Sequence, residues 1–296
     1  MTVVDAHHHV WDLSVRDQPW LAAPGLAALR RAFTVADLAP SARAAGVGRS
    51  VLVQTVTVPE ETPELLALAA GHGLVAGVVG WADLTRPDLA DELARLGELP
   101  GGRFLTGIRH QVQDEPDPEW LLRPDVRRGL TAVAAAGLRY DLVVRPGQLP
   151  ACARAAAAHP GLTFVLDHLG KPPVAHGRIE PWRTALRALA ALPNTVGKLS
   201  GLLTEAAPGS WRVADLRPYS EAALDAFGPD RLMFGSDWPV CTLRASYGEV
   251  LDVTRELLAG LSEGERAAVL AGTATRVYGL CGPVPDSRVG GRNSRT

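Results

Sequence analysis

Cysteine is scarce. The chain holds three in 296 residues (Cys152, Cys241 and Cys281), and none lies in a CxxC pair. A disulfide-built secreted scaffold is thereby excluded. No apolar run approaches about 18 residues, so no membrane span is expected. The opening MTVVDAHHHVW has no basic head and no apolar stretch, so no signal peptide is read there. Cytoplasm is the default. The charge lacks a dominant sign: 30 basic against 32 acidic side chains leave a net charge of −2. That excludes a broad basic footprint for nucleic acid, although not a local patch. Lysine is nearly absent. Only Lys171 and Lys198 stand among the 30 basic residues, and the other 28 are arginine. In an Arg- and Ala-biased chain a lysine is worth locating, because an ammonium is a compact point charge where a guanidinium is a broad planar fork.

What is present is a large apolar fraction, 47%, in an ordinary charged background of 21%. It is enough for one sizeable core. Short β-branched runs alternate with Ala/Leu/Arg stretches of helical period. The runs are Val3–His7, Ser50–Gln54, Val75–Ala82, Phe104–Gln111, Tyr140–Val144, Thr163–Gly170, Thr195–Gly201 and Leu232–Pro239. Helices are expected at about 34–46, 61–72, 87–97, 118–137, 148–159, 180–192, 215–227, 246–260 and 262–278, with Thr34, Ser246 and Ser262 as caps. Eight βα units predict an α/β fold, a single closed (β/α)8 barrel over residues 1–281. An open doubly wound sheet uses similar local signals, but no GxGxxG turn follows the first run. Residues 282–296 are polar and Gly/Pro-rich and read as a loose tail.

Barrel chemistry sits at the C-terminal ends of strands. There the sequence places Asp5-Ala-His7-His8-His9, Arg109-His110-Gln111, Asp167-His168, Lys198 with Ser200, and Ser236-Asp237-Trp238. Five of eight histidines fall at these ends. His7 and His9 are two apart, so on a strand they share a face, and His8 points away. That spacing suits a metal pair, although HxH alone is a weak signal. His168 also reads as a packed core histidine, and Asp237 as a helix cap or an arginine partner. By alternation Lys198 and Ser200 share a face, so Lys198 is expected to touch either substrate or a buried carboxylate. Lys171 reads as a site residue or as part of a turn. His72, His159 and His176 read as surface residues.

The motifs DAHHHVWD, GIRHQ, LDHLGKPP, KLSGL and FGSDWPVC, in this order, resemble the amidohydrolase superfamily, in particular its amidohydrolase-2 branch. More narrowly they resemble the sugar-lactonase subgroup that contains fuconolactonase and rhamnonolactonase. The resemblance spans residues 1–281 and implies a TIM-like barrel. It also implies that His7 and His9 match the strand-one HxH, His168 the strand-six histidine, and Asp237 the strand-eight aspartate. The binuclear pattern is broken, because strand four ends in Arg109-His110 and strand five, YDLVVRP, has no histidine. At most one divalent ion is therefore expected, held by His7, His9, His168 and Asp237. Zinc suits that set best, and lactone-opening relatives include metal-independent ones.

The expected reaction is hydrolysis of a small sugar-derived lactone, such as fuconolactone, to its hydroxy acid. Asp237 is assigned as general base, with His168 and His110 as further catalytic candidates. Arg109, His110 and Lys198 supply positive charge, Gln54 and Gln111 partners for hydroxyls, and Trp11, Trp20, Trp81 or Trp238 a stacking face. The loops His9 to about Phe33 and Leu202 to about Trp211 are the expected lids. The alternatives are a decarboxylase of an aromatic or dienoic acid, a hydrolase of a muconolactone-type lactone, and a barrel that binds without catalysis. A small-molecule lactone is the expected partner, with neither nucleic acid nor membrane. Apolar helix faces such as 151–158 are core or interface, so a homo-oligomer stays open.

Overall fold

The computed structural model describes residues 2–280. The expected tail from Gly282 and Cys281 lie outside the described residues. Eight strands follow one another around a single sheet in chain order: β1 Val3–His8, β2 Val47–Val53, β3 Val75–Gly80, β4 Leu105–His110, β5 Arg139–Leu142, β6 Phe164–Leu166, β7 Thr195–Leu199 and β8 Leu232–Phe234. Every neighbouring pair is parallel. The crossovers carry α1 Val35–Ala44, α2 Glu61–Gly71, α3 Leu89–Glu98, α4 Pro124–Ala135, α5 Leu149–Ala158, α6 Trp182–Ala190, α7 Leu202–Glu205 and α8 Val213–Phe227. After β8 come α9 Tyr247–Leu257, α10 Glu263–Ala267 and α11 Thr273–Tyr278. This is the (β/α)8 barrel that the alternation predicts. The three expected caps form: the hydroxyls of Thr34, Ser246 and Ser262 accept the backbone N–H of Asp37, Glu249 and Glu265, and each acid reaches back.

The barrel closes between its first and last strands. Among the described residues the seam carries a single parallel bridge, His8 with Trp238, and β8 has only three residues. The loop beyond it completes the seam: Asp237 N–H donates to His7 O at 2.8 Å, and His9 N–H to Trp238 O at 2.7 Å. The buried Asp5 carboxylate straps the same seam. It accepts Ser236 N–H at 2.8 Å, Ser236 Oγ–H at 2.6 Å and Tyr247 O–H at 3.1 Å.

Inside the barrel the side chains form layers. Val4, Ala6, Val51, Val53, Val79, Val165, Val196 and Met233 pack with Ala274, Val277 and Tyr278 of α11. Two residues further along the chain stand buried polar groups, Asp167 on from Val165 and Lys198 on from Val196. The site lies at the strand ends beyond them. No helix among the described residues is long and apolar enough to cross a membrane.

Most strands end a residue or two before the predicted run does, and two end well before it. β6 stops at Leu166 rather than Gly170, and β8 at Phe234 rather than Pro239. The reason is backbone conformation. His168, Leu169, Gly170 and Lys171 are all left-handed (φ 52°, 52°, 70° and 57°), and so is Asp237 (φ 58°). A ladder cannot continue through that region, and only glycine enters it without strain. Among the described residues, the four non-glycine residues at positive φ all belong to these two turns. Strain of this kind persists where the surroundings over-determine it, which is characteristic of functional sites.

Candidate active site

β1 and the turns after β6 and β8 deliver three imidazoles and one carboxylate to one point. His7 Nε2 lies 3.1 Å from His9 Nε2. Asp237 Oδ1 lies 3.5 Å from His9 Nε2, 3.8 Å from His7 Nε2 and 3.9 Å from His168 Nε2. The register between β1 and β2 shifts between Asp5 and His8. Such irregularities re-aim side chains beside active sites. His8 turns away, as expected, and pairs with Ser50 Oγ at 2.9 Å. Burial pushes its pKa down to about 3.

Hydrogen bonds fix which nitrogens face the centre. His9 Nδ1–H donates to Val53 O at 2.7 Å, which leaves a lone pair on Nε2. The Ser200 hydroxyl leans on Lys198 O at 3.5 Å and accepts His168 Nδ1–H at 2.9 Å, so His168 Nε2 also presents a lone pair. Two ring nitrogens 3.1 Å apart, one of them a lone pair, need a proton or a cation between them. A single divalent ion fits. Ligand atoms at about 2.0–2.1 Å from a tetrahedral zinc stand roughly 3.3–3.4 Å apart, against 3.1–3.9 Å for the four pairs above. One ligand atom each from His7, His168 and Asp237 lies within 4.8 Å of the others. Burial drives His168 down to about 4 and His7 well below its ordinary value, with Asp167 opposing at His7. Both shifts favour the neutral imidazole, the form that binds a metal. Burial acts to raise Asp237, but His168, His9 and His7 outweigh it and hold the carboxyl below the usual range.

Two glycines leave room for these rings. A Cβ at Gly201 would stand 2.8 Å from the ring and Cβ of His168, and one at Gly235 would stand 2.8 Å from His7 Cβ and 3.2 Å from Ser200 Cβ. Gly235→Ala is expected to destabilise the protein by about 1–3 kcal/mol and to displace His7. Thermal melting paired with zinc titration checks this. A variant with wild-type melting and wild-type zinc binding would show that the strand yields freely.

A buried charged layer supports the imidazoles. Asp167, fully buried, lies 3.3 Å from His7 Nδ1, 2.9 Å from Lys198 Nζ and 2.8 Å from Arg109 Nη1. Lys198 Nζ also donates to Asp141 Oδ2 at 2.6 Å, and Tyr278 O–H reaches the same oxygen at 2.7 Å. Burial raises the Asp141 carboxyl, against Lys198. At Asp167 burial is outweighed by Lys198, His7 and Arg109, and the carboxyl sits well below its ordinary value. Lys198 is thus placed on buried carboxylates, the second of its two expected surroundings, with no exposed surface.

Above this layer opens a cavity of about 820 Å³. His9, His168 and Asp237 reach its wall, as do Arg109, His110, Gln111 and Lys171. Its rim includes Arg16, Asp17 and Trp20 from the first loop and Thr204 and Glu205 from α7, the two segments expected as lids. Other expected contacts are engaged by the protein itself. Arg109 Nε and Nη2 bind Gln54 Oε1, and Nη2 also binds Gln54 O. Gln54 and Gln111 exchange amide hydrogen bonds at 3.0 and 3.1 Å. Gln54 is fully buried and does not line the cavity. His110 accepts Trp81 Nε1–H, pairs with Glu115 and stacks on Trp120 at 4.3 Å. Trp238 packs against Phe33, as does Trp11. Of the four tryptophans considered, Trp20 alone lines the cavity.

Asp141 and Glu205 were not singled out from the sequence, and Asp167 was placed at the end of strand six beside His168 without a role. Asp167 adjoins His168 inside LDHLGKPP, and Asp141 alternates onto the inner face of YDL, so a weak signal existed for both. Glu205 carried none.

A family model described as amidohydrolase matches residues 4–280. The protein of Burkholderia multivorans called L-fucono-1,5-lactonase is 43% identical over 300 residues, 97% of this chain and 98% of that one. A crystal structure of an amidohydrolase from Burkholderia multivorans with bound zinc superposes with a TM-score of 0.88 at 42% identity, covering 95% of this chain and 100% of that one. The L-rhamnono-gamma-lactonase of Scheffersomyces stipitis is 23% identical over 202 residues, 60% of each chain.

Proposed function

The chain belongs to the amidohydrolase family, and from that premise we propose that it hydrolyses a small sugar-derived lactone of the aldonolactone type to the open hydroxy acid. The observation that carries the reading is Asp237, a carboxylate on the cavity wall facing three imidazoles. Kinship with a relative called L-fucono-1,5-lactonase supports it.

A lactone is an internal ester. Water must lose a proton as it attacks the carbonyl carbon, the carbonyl oxygen must be stabilised, and the ring oxygen must gain a proton as its bond to that carbon breaks. Asp237 takes the proton from water and returns it to the ring oxygen, which stays tethered to the product. The net change is one water added across one C–O bond. His7, His9, His168 and Asp237 would hold a single divalent ion, zinc suiting an imidazole-rich set with one carboxylate, which would supply Lewis acidity toward the carbonyl and the water. Arg109, fixed by Asp167 and Gln54 on the cavity wall, adds a permanent positive charge that favours oxyanion and carboxylate. His110, with both ring nitrogens engaged, shapes the wall rather than moving protons.

The test is acid release in a pH-stat against a panel of aldonolactones, with muconolactone-type compounds and a carbon dioxide assay alongside. Acid from aldonolactones supports the reading. Carbon dioxide from an aromatic acid, with no lactone opened, overturns it. Removal of metal by a chelator is expected to lower the rate more than tenfold, with recovery on adding one equivalent of zinc. Full activity in metal-free protein would take the ion out of the reaction.

A further inference from the structure

The polar groups of the cavity differ in how far the protein already engages them. Arg109, His110 and Gln111 have their hydrogen-bonding groups turned to Asp167, Gln54, Trp81, Glu115 and Thr55. Asp237 faces the imidazoles. The other cavity carboxylates are also addressed: Glu115 by His110, Asp114 by Arg145, and Asp17 by the N–H of Gln18. Glu205 is different. It is half-buried on α7, and among the described residues no donor lies within hydrogen-bond distance of its carboxylate. It senses the charges of Lys171, Asp237 and Arg145, and burial acts to raise its pKa. Lys171 stands in the same cavity. Its Nζ makes one hydrogen bond, to Gln113 Oε1 at 2.5 Å, which leaves two N–H groups. It ends the run of left-handed residues that also aims His168, so the strained turn presents both side chains together.

We propose that Glu205 and Lys171 are the specificity-determining pair, with Glu205 accepting hydrogen bonds from ring hydroxyls of the lactone and Lys171 donating to hydroxyl or ring oxygens. This rests on the lactonase reading and deepens it. A carboxylate with no hydrogen-bond donor from the protein, at the edge of the cavity, is satisfied by a substrate rich in O–H groups. A lactone without hydroxyls leaves it unpaired, and the site then discriminates against that lactone. A lactone carrying a ring carboxylate meets like charge at Glu205. The substrate class is therefore an uncharged polyhydroxylated lactone.

The experiment compares kcat/KM for a hydroxylated aldono-1,5-lactone and for δ-valerolactone, the same ring without hydroxyls. Wild type, Glu205→Ala, Glu205→Gln and Lys171→Met are measured, with melting curves on each. In wild type the hydroxylated ring is preferred. Glu205→Ala is expected to lower that preference about 10²-fold, mainly through KM. Glu205→Gln keeps one acceptor oxygen, and Lys171→Met keeps the stem, so each lowers it about tenfold. A parallel fall for both substrates, with the preference unchanged, would assign the pair a structural role and overturn the inference. Wild-type protein that opens neither ring overturns the lactonase reading and this inference with it. Wild-type protein that opens both, with a preference untouched by all three variants, overturns this inference alone.

Discussion

Asp237→Asn is expected to lose about 10³-fold in kcat while melting like wild type. The substitution is close to isosteric, and asparagine tolerates the left-handed conformation that position 237 adopts at φ 58°. Alanine there would confound the test, since it adds backbone strain to the loss of the carboxylate. Asn keeps an oxygen that can face the imidazoles but cannot take a proton from water. The backbone seam through Asp237 N–H and His7 O is untouched by the change. Zinc content measured on the same preparation separates loss of the base from loss of a ligand. Turnover at the wild-type rate would remove Asp237 as the base.

Lys198→Met is expected to destabilise the protein by about 3–5 kcal/mol, read as a lower urea midpoint. The ammonium has no solvent exposure and lies 2.6 Å from Asp141 and 2.9 Å from Asp167. Its removal leaves Asp141 without a cation in the barrel interior, with only the Tyr278 hydroxyl to answer it, and leaves Asp167 to Arg109 and His7. Methionine fills similar volume, so packing alone does not account for a large loss. Asp141→Asn in the same chain is expected to restore part of it, because one stranded charge is then neutral. Arginine at position 198 should not rescue, since its wide fork does not fit a point between two carboxylates and His7 Nδ1 at 3.1 Å. A single variant as stable as wild type would show that the layer tolerates uncompensated charge.

The eight strands were legible because a buried parallel strand writes itself as a short β-branched run and each crossover as a helical period. Caps at Thr34, Ser246 and Ser262 were legible for the same local reason. His7, His9, His168 and Asp237 were legible from their place at strand ends. The ends of β6 and β8 were not, because apolar composition continues past the point where φ changes sign. His110 and Gln54 stood at strand ends too, yet their hydrogen bonds go to Trp81, Glu115, Arg109 and Gln111, and spacing along one strand does not report that.

The two lysines show where the division falls. By itself the sequence determined that the chain is a near-neutral (β/α)8 barrel with histidines and an aspartate at one end, since these properties depend on pattern within a few residues. It also marked Lys171 and Lys198 as unusual. Only the tertiary structure decided that Lys198 lies beneath the site, 191 residues from its partner His7 along the chain, whereas Lys171 lines the same cavity as Glu205. The reason is physical. A side chain's role depends on which of its hydrogen bonds and charges are already engaged, and those partners come from distant strands that only barrel closure brings together.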